Sequence, residues 1–377
     1  MTRQRPARLL PTTVIGSFAV PEWLGQLRND YYQRRISRRY LGEILDMATK
    51  AAIVDQDRAG IDIISDGELR RDNDVDYVLP RLPGVEILRP AKADYLDYLD
   101  ARISGPLPEP YGAGLGLADD FRFARRLTDL PMKASMTGAF SLSRRIRGGG
   151  GDSARGDSAR GDSARRDSAR GDSAGADLVR SLARHLHAEA IELAAAGARV
   201  LQIDEPFLAG YPEQVGLAME AVNIVADVPG VTWVLHVCYG NRYARPLWEG
   251  HYDFLFPAVK DAGIDQLALE FARRGDDDLA LLERHGWDRG LGLGVIDVRS
   301  EQVETAEVVA ARIRRGLRYV PAERLSVNPD CGLRQLTGDA ARGKLAALVA
   351  GADLVRAELH QAETDGAAEA EGAAGAG

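Results

Sequence analysis

Short apolar runs rich in Val and Ile alternate along this chain with longer segments of helical period. The runs are TTVIGS (12–17), IDIISDGE (61–68), PMKASMTG (131–138), ARVLQIDEP (198–206), TWVLHVCYG (232–240), QLALEFA (266–272), GLGLGVID (290–297) and RLSVNPDCG (324–332). Each has strand length. Segments with 3.6-residue periodicity fall between them, at about 38–59, 176–196, 212–227, 245–262, 277–285, 301–319 and 338–358. Eight strands alternating with helices predict an α/β fold, a parallel (β/α)8 TIM barrel. The competing arrangement is an open doubly wound sheet. No Gly-x-Gly-x-x-Gly follows the first run, which removes the usual reason to choose that sheet.

Two stretches break the alternation. Residues 78–118 are rich in Pro, Gly and Tyr and read as an excursion after the second strand, a hairpin with loops. Residues 148–175 carry five near-copies of the pentapeptide GDSAR, whose only apolar residue is Ala. Such a segment buries no useful core and reads as a disordered insertion. The stretch from 362 to 377, ETDGAAEAEGAAGAG within it, reads as a disordered tail. The expected organisation is one barrel over 1–361, interrupted at 148–175.

Composition narrows the partners more than the fold. Hydrophobic content of 45% and charged content of 28% suit a soluble globular chain of 377 residues. A net charge of −8 speaks against nucleic acid or an anionic membrane as the main partner. No apolar run reaches transmembrane length, and no signal-peptide core precedes Pro11. The expected location is cytoplasmic. Two cysteines make no disulfide framework, which fits a reducing compartment.

The polar residues gather where the runs end. Gly16-Ser17 closes the first, Asp66-Gly67-Glu68 the second, Thr137-Gly138 the third and Asp204-Glu205-Pro206 the fourth. His236 and Cys238 close the fifth, Glu270 the sixth, Asp297 and Arg299 the seventh, and Asp330-Cys331 the eighth. In a (β/α)8 barrel these ends converge on one mouth, where active sites are built. Single Asp-Gly or Asn-Pro pairs are ordinary turn chemistry, but Glu and Cys are not turn formers.

Residues i and i+2 on a strand face the same way, so His236 and Cys238 can address one ion, with Glu270 and Cys331 reaching it from other strands. Thiolate, imidazole and carboxylate suit Zn²⁺. The alternative is that the two cysteines are small buried apolar residues. An ion with an exchangeable position can lower the pKa of a substrate thiol, which points to S-alkylation. A zinc hydrolase would need a general base beside a bound water, and none stands out.

At these motifs the chain resembles the catalytic C-terminal barrel of cobalamin-independent methionine synthase. The matching pieces are PTTVIGSF, SDGELRRDN, MTGAFSLS, LQIDEPFL, HVCYGN, LEFAR, GLGVIDVRS and PAERLSVNPDCGLR, in the expected order across about 11–335. The resemblance implies zinc ligation by His236, Cys238, Glu270 and Cys331. It implies that homocysteine is held by Ser17 at the carboxylate end, and by Glu68 and Asp204 at the amino group. Two carboxylates facing an ammonium make electrostatic sense. Helix capping is the alternative for both.

Two departures bear on the methyl donor. The long enzymes of the family carry a second, N-terminal barrel that helps bind a polyglutamylated folate. This chain has one barrel, like the short archaeal-type members, which implies another donor such as a methylcorrinoid protein. The long enzymes also have a proton-shuttling histidine where this chain has Arg299, which stays protonated near neutral pH. A related reading is an epoxyalkane:coenzyme M transferase, with Arg299 on the sulfonate of coenzyme M and Tyr239 protonating the alkoxide. Glu68 and Asp204 favour an amino-acid thiol instead, since coenzyme M has no ammonium. A third reading is a non-catalytic zinc-binding protein.

Overall fold

The structure, a computed structural model, describes residues 8–89, 92, 94–110, 114–147, 173–241, 244–273, 275 and 277–374. Nine strands occur among them. β1 (Val85–Arg89), β2 (Asp100–Ile103) and β4 (Ile146–Arg147) form a small sheet, in which β1 and β2 are the antiparallel hairpin expected of the excursion. The others are β3 (Lys133–Thr137), β5 (Val200–Asp204), β6 (Thr232–Val237), β7 (Gln266–Glu270), β8 (Gly290–Ile296) and β9 (Leu325–Pro329). These six form one all-parallel sheet in the order β3-β5-β6-β7-β8-β9.

Two short extended segments close that sheet into a barrel. Thr12 pairs with Val327 of β9, Thr13 with Ile63, and Ile64 with Met132 beside β3, all in parallel. The predicted first and second strands therefore occupy their barrel positions but pair only at 12–13 and 63–64. Side chains take over the ladder beyond those points: Gln56 bonds the backbone of Ser65 through both its amide atoms, and the Ser65 hydroxyl donates to the Gly16 carbonyl at 2.6 Å.

Successive residues of a strand face opposite ways. The outward set, including Leu201, Ile203, Leu235, Leu267, Leu269, Leu291, Leu293 and Val327, belongs to one continuous core. The helices that cover it are α1 (Glu22–Tyr32), α2 (Arg38–Ala59), α3 (Leu117–Arg125), α4 (Ala139–Ser143), α5 (Ser173–Ala195), α6 (Val215–Ala226), α7 (Leu279–Arg284), α8 (Ala306–Gly316) and α9 (Gly338–Ala374). Ser37 caps α2 by accepting from Tyr40 N–H, and Gly60 ends it with φ of 88°. The inward set makes a separate small apolar group, Ile15, Val234 and Ala268. Above it lies a polar face that includes Lys133, Gln202, Asp204, His236 and Glu270.

Two expectations change, and a third falls largely outside the described residues. The helix expected at 245–262 is replaced by two 3-10 turns, Tyr252–Leu255 and Ala258–Asp261, because Pro246, Gly250 and Pro257 interrupt any longer helix. The tail expected to be disordered from 362 continues α9 as far as Ala374. Its Ala- and Glu-rich sequence propagates a helix already anchored by the core, so no new nucleation is needed. The expected disordered insertion lies outside the described residues over 148–172, and α5 starts at Ser173.

Asp62 locks the closure. Its Oδ2 accepts from Thr12 N at 2.9 Å, Thr12 Oγ1 at 2.9 Å and Arg356 Nη2 at 2.6 Å. Arg356 also donates to the carbonyls of Leu9 and Leu10, so α9 clamps the first barrel segment onto the second. Burial pushes the Asp62 carboxyl upward, but the Thr12 N–H and Arg356 outweigh it and leave its pKa below the ordinary value. Its contribution is therefore present above the unfolded pKa, and is lost as pH falls through the depressed folded value. Asp62→Ala is expected to cost about 2 kcal/mol at neutral pH, because it removes the acceptor of Thr12 N–H and Oγ1 and one of the two carboxylates paired with Arg356, which keeps Asp353. Urea unfolding should show a constant gap from wild type down to about pH 4, closing in stronger acid.

Candidate functional site

β6 and β9 bring three donors together. His236 lies on β6, Cys238 follows it by two residues, and Cys331 follows β9 by two. The donor atoms of these three residues all lie within 4.8 Å of one another. The two sulfurs are 3.7 Å apart and not bonded to each other. His236 Nδ1 lies 3.1 Å from the Ala268 carbonyl, which can only accept, so Nδ1 carries the proton and Nε2 carries the lone pair. Nε2 is buried and makes no well-formed hydrogen bond.

Electrostatics divides the two thiols. The hydrogen bond with Cys238, and then His236, pull the Cys331 thiol down to about 5. The same contact, with burial, pushes Cys238 up. A buried imidazole nitrogen facing two sulfurs fits a borderline-soft ion such as Zn²⁺, and the Nδ1 contact is the kind of outer bond that orients such a ligand.

Glu270, expected as the fourth ligand, is wholly buried at the end of β7 and lies outside that donor cluster. Its Oε1 accepts from Tyr239 N at 2.7 Å, and Arg299 grips both its oxygens. Tyr239 is buried against Tyr252, with ring centroids 5.0 Å apart. Asp297 accepts from the backbone of Arg299 at 2.9 Å, shaping the loop that presents it. Asp330, beside Cys331, is pushed up to about 8 by burial, with Glu270 adding to the effect. Its Oδ1 accepts from the backbones of Phe271 and Ala272.

The expected substrate residues form the other side of the mouth. Ser17 lies against the Cys331-Gly332 turn, since a Cβ on Gly332 would come within 2.0 Å of its Oγ. Glu68 has φ of 54°, a left-handed backbone unusual for a side-chain-bearing residue. Holding it there costs of order 1–3 kcal/mol, the kind of strain found at functional positions. Ser135 Oγ donates to Glu68 Oε1 at 2.5 Å, and Arg71 and Arg334 each lie 3.5 Å from the carboxylate. Burial works against the Glu68 charge, but the two guanidinium groups hold its pKa below the ordinary range. Asp204 accepts from Gln202 at 2.6 Å and is pushed up to about 7 by burial, with Glu68 adding to it. Glu205, the next residue, accepts from Phe140 N, Ser141 N and Ser141 Oγ and so caps α4.

Sequence reasoning did not single out Arg71, Ser135, Lys133, Gln202 or Arg334. Lys133 donates to Gln202 Oε1 at 2.6 Å, and Gln202 in turn orients Asp204. Polar residues in the middle of a predicted parallel strand, KASMT and VLQID, were the available signal.

Glycines of β8 make room for this polar face. A Cβ on Gly292 would lie 2.6 Å from Asn328 Oδ1. One on Gly294 would lie 2.4 Å from Asp330 Oδ1 and 2.6 Å from the Leu269 carbonyl. The backbone carbonyl cannot swing away. Gly294→Ala is therefore expected to lose about 2 kcal/mol through overpacking, read as a lowered urea midpoint.

A closed parallel barrel whose mouth joins thiols, imidazole and paired carboxylates is the scaffold of a barrel transferase. The family model described as the cobalamin-independent synthase catalytic domain matches residues 10–106 and 163–354. The methionine synthase of Saccharolobus solfataricus is 32% identical over 352 residues, covering 93% of this chain and 96% of that one. That of Sulfurisphaera tokodaii is 31% identical, covering 93% and 94%. Among solved structures, a B12-independent methionine synthase from Shewanella sp. W3-18-1, in complex with selenomethionine, aligns with a TM-score of 0.76 at 26% identity, covering 94% of this chain and 99% of that one. The chain belongs to the cobalamin-independent methionine synthase family, and its relatives make it a methyltransferase. Among the described residues no helix is long and apolar enough to cross a membrane.

Proposed function

We propose that this chain methylates the sulfur of homocysteine, with Zn²⁺ held by His236, Cys238 and Cys331. The observation that carries this reading is the meeting of two unlinked sulfurs and the buried imidazole nitrogen in one cluster. When bound, the ion supplies Lewis acidity that favours the thiolate form of a substrate thiol near neutral pH. The protein's own groups do the rest. Asp204 and Glu68 receive the ammonium of the amino acid, and its charge restores the ionised form of Asp204 that burial disfavours. Ser17 meets the carboxylate end. The selenomethionine bound to the Shewanella relative is an analogue of the methylated product and supports an amino-acid site.

In the transfer, the sulfur takes the methyl carbon and the methyl–donor bond breaks with its electron pair going to the donor. Arg299 is occupied by Glu270 and remains a cation, so it protonates no donor nitrogen. The same occupation speaks against Arg299 as the sulfonate anchor of a coenzyme M transferase. A methylfolate or a methylcorrinoid remains as donor class, and the cobalamin-independent description of the family gives no support to a corrinoid protein.

Cys238→Ser and Cys331→Ser are each expected to lose bound zinc and methyl transfer together, measured by metal analysis and by methionine formation from homocysteine with methylfolate or methylcobalamin. Stoichiometric zinc with full turnover in either variant would sink the reading. Asp204→Asn is expected to retain zinc while raising the KM for homocysteine at least tenfold, the order expected for losing about 1.4 kcal/mol of charge pairing. An unchanged KM would remove Asp204 from the ammonium site.

A further inference from the structure

Gln202 is wholly buried, and both ends of its amide are engaged. Its Oε1 accepts from Lys133 Nζ at 2.6 Å, and its Nε2 donates to the Ile15 carbonyl at 2.6 Å and to Asp204 Oδ1 at 2.6 Å. These partners admit one orientation of the amide. An ammonium only donates, whereas a carbonyl and a carboxylate only accept, so turning the amide over would set donor against donor and acceptor against acceptor. Lys133 is 3% exposed, and burial draws its pKa down to about 8, with Asp204 and then Glu68 holding it up. It is therefore a cation at neutral pH. Among the described residues neither Lys133 nor Asp204 forms an ion pair, so one neutral amide stands between the buried cation and the carboxylate.

We infer that Lys133, acting through Gln202, is a positioning residue for recognition of the substrate's amino group: the pair fixes the orientation of the Asp204 carboxylate that meets an incoming ammonium. This rests on the amino-acid reading above and requires no bound metal. Register puts Lys133 level with Val200, and Gln202 and Asp204 follow at two-residue steps on the same face of β5. Cation, amide and carboxylate thus rise in order toward the mouth. An ammonium on Oε1 polarises the amide and strengthens the N–H bond that it gives to Asp204. An apolar residue at 133 would leave Oε1 buried without a donor, which favours a shift of the amide away from Asp204. The neighbouring strand treats the second carboxylate alike: Ser135, level with Gln202, donates to Glu68 Oε1 at 2.5 Å.

Titration calorimetry would measure binding of methionine and of methylsulfanylbutanoate, the same molecule without its amino group. Wild type is compared with Lys133→Met, Gln202→Met, Asp204→Asn and the double variant Lys133→Met with Asp204→Asn. Lys133→Met and Gln202→Met are each expected to weaken methionine about tenfold, the order of one charge-assisted hydrogen bond, and to leave methylsulfanylbutanoate unchanged. In the Asp204→Asn background Lys133→Met should add nothing. A lysine that only stitches β3 to β5 would weaken both ligands alike, or act as strongly without the Asp204 charge, and either result would overturn the inference. So would unchanged methionine binding in folded Lys133→Met. Gln202→Met carries the same comparison if Lys133→Met folds poorly. Unchanged methionine binding in Asp204→Asn would show instead that the amino-acid reading itself has failed, and the inference falls with it.

Discussion

The mouth depends on one constraint: eight parallel segments share a direction, and alternate residues on each face inward. Register then sets the level of each side chain. Asp204 pairs across to His236, and Glu270 to Gly294, so carboxylate, imidazole and an empty glycine position sit side by side around the barrel. A shift of one residue in any strand would turn its polar set into the apolar layer beneath the helices. The staple of Asp62, Thr12 and Arg356 protects this arrangement where the ladder is thinnest, at the two segments that contribute only isolated bridges.

Charge at the mouth is handled in pairs. Glu270 is clasped by Arg299, and Glu68 lies between Arg71 and Arg334. Asp204 differs: among the described residues it forms no ion pair, and burial raises its pKa to about 7. Burial outweighs the nearby Lys133 and His236, and a buried carboxylate with no ion pair is a position where a ligand's ammonium gains most. The charge pattern thus separates the carboxylates already paired with guanidinium groups, Glu270 and Glu68, from Asp204, which an amino acid's ammonium would complete.

Much of the fold was legible because strand length and period are local. All eight barrel positions fell where the apolar runs lie. The helix expected at 245–262 failed because its composition was helical while its prolines were not. The tail misread from 362 was the reverse, since low complexity hid good helix formers. At the site, His236, Cys238 and Cys331 were readable from rarity and position. Glu270 was expected as a ligand, but its grip by Arg299 was not legible, since the two lie 29 residues apart and nothing local in the sequence records the contact. Arg71 and Arg334 escaped for the same reason.

Local pattern was enough for the barrel, for the end of it where polar residues gather and for the family to which its motifs point. Those follow from periodicity, from what ends each run and from rare residues in fixed order. Only the tertiary structure decided which inward carboxylates are neutralised and which is left open, and that the glycines of β8 yield their space to Asn328 and Asp330. Such pairings depend on distances between side chains remote in the chain. In a low-dielectric mouth those distances govern the energy of every charge.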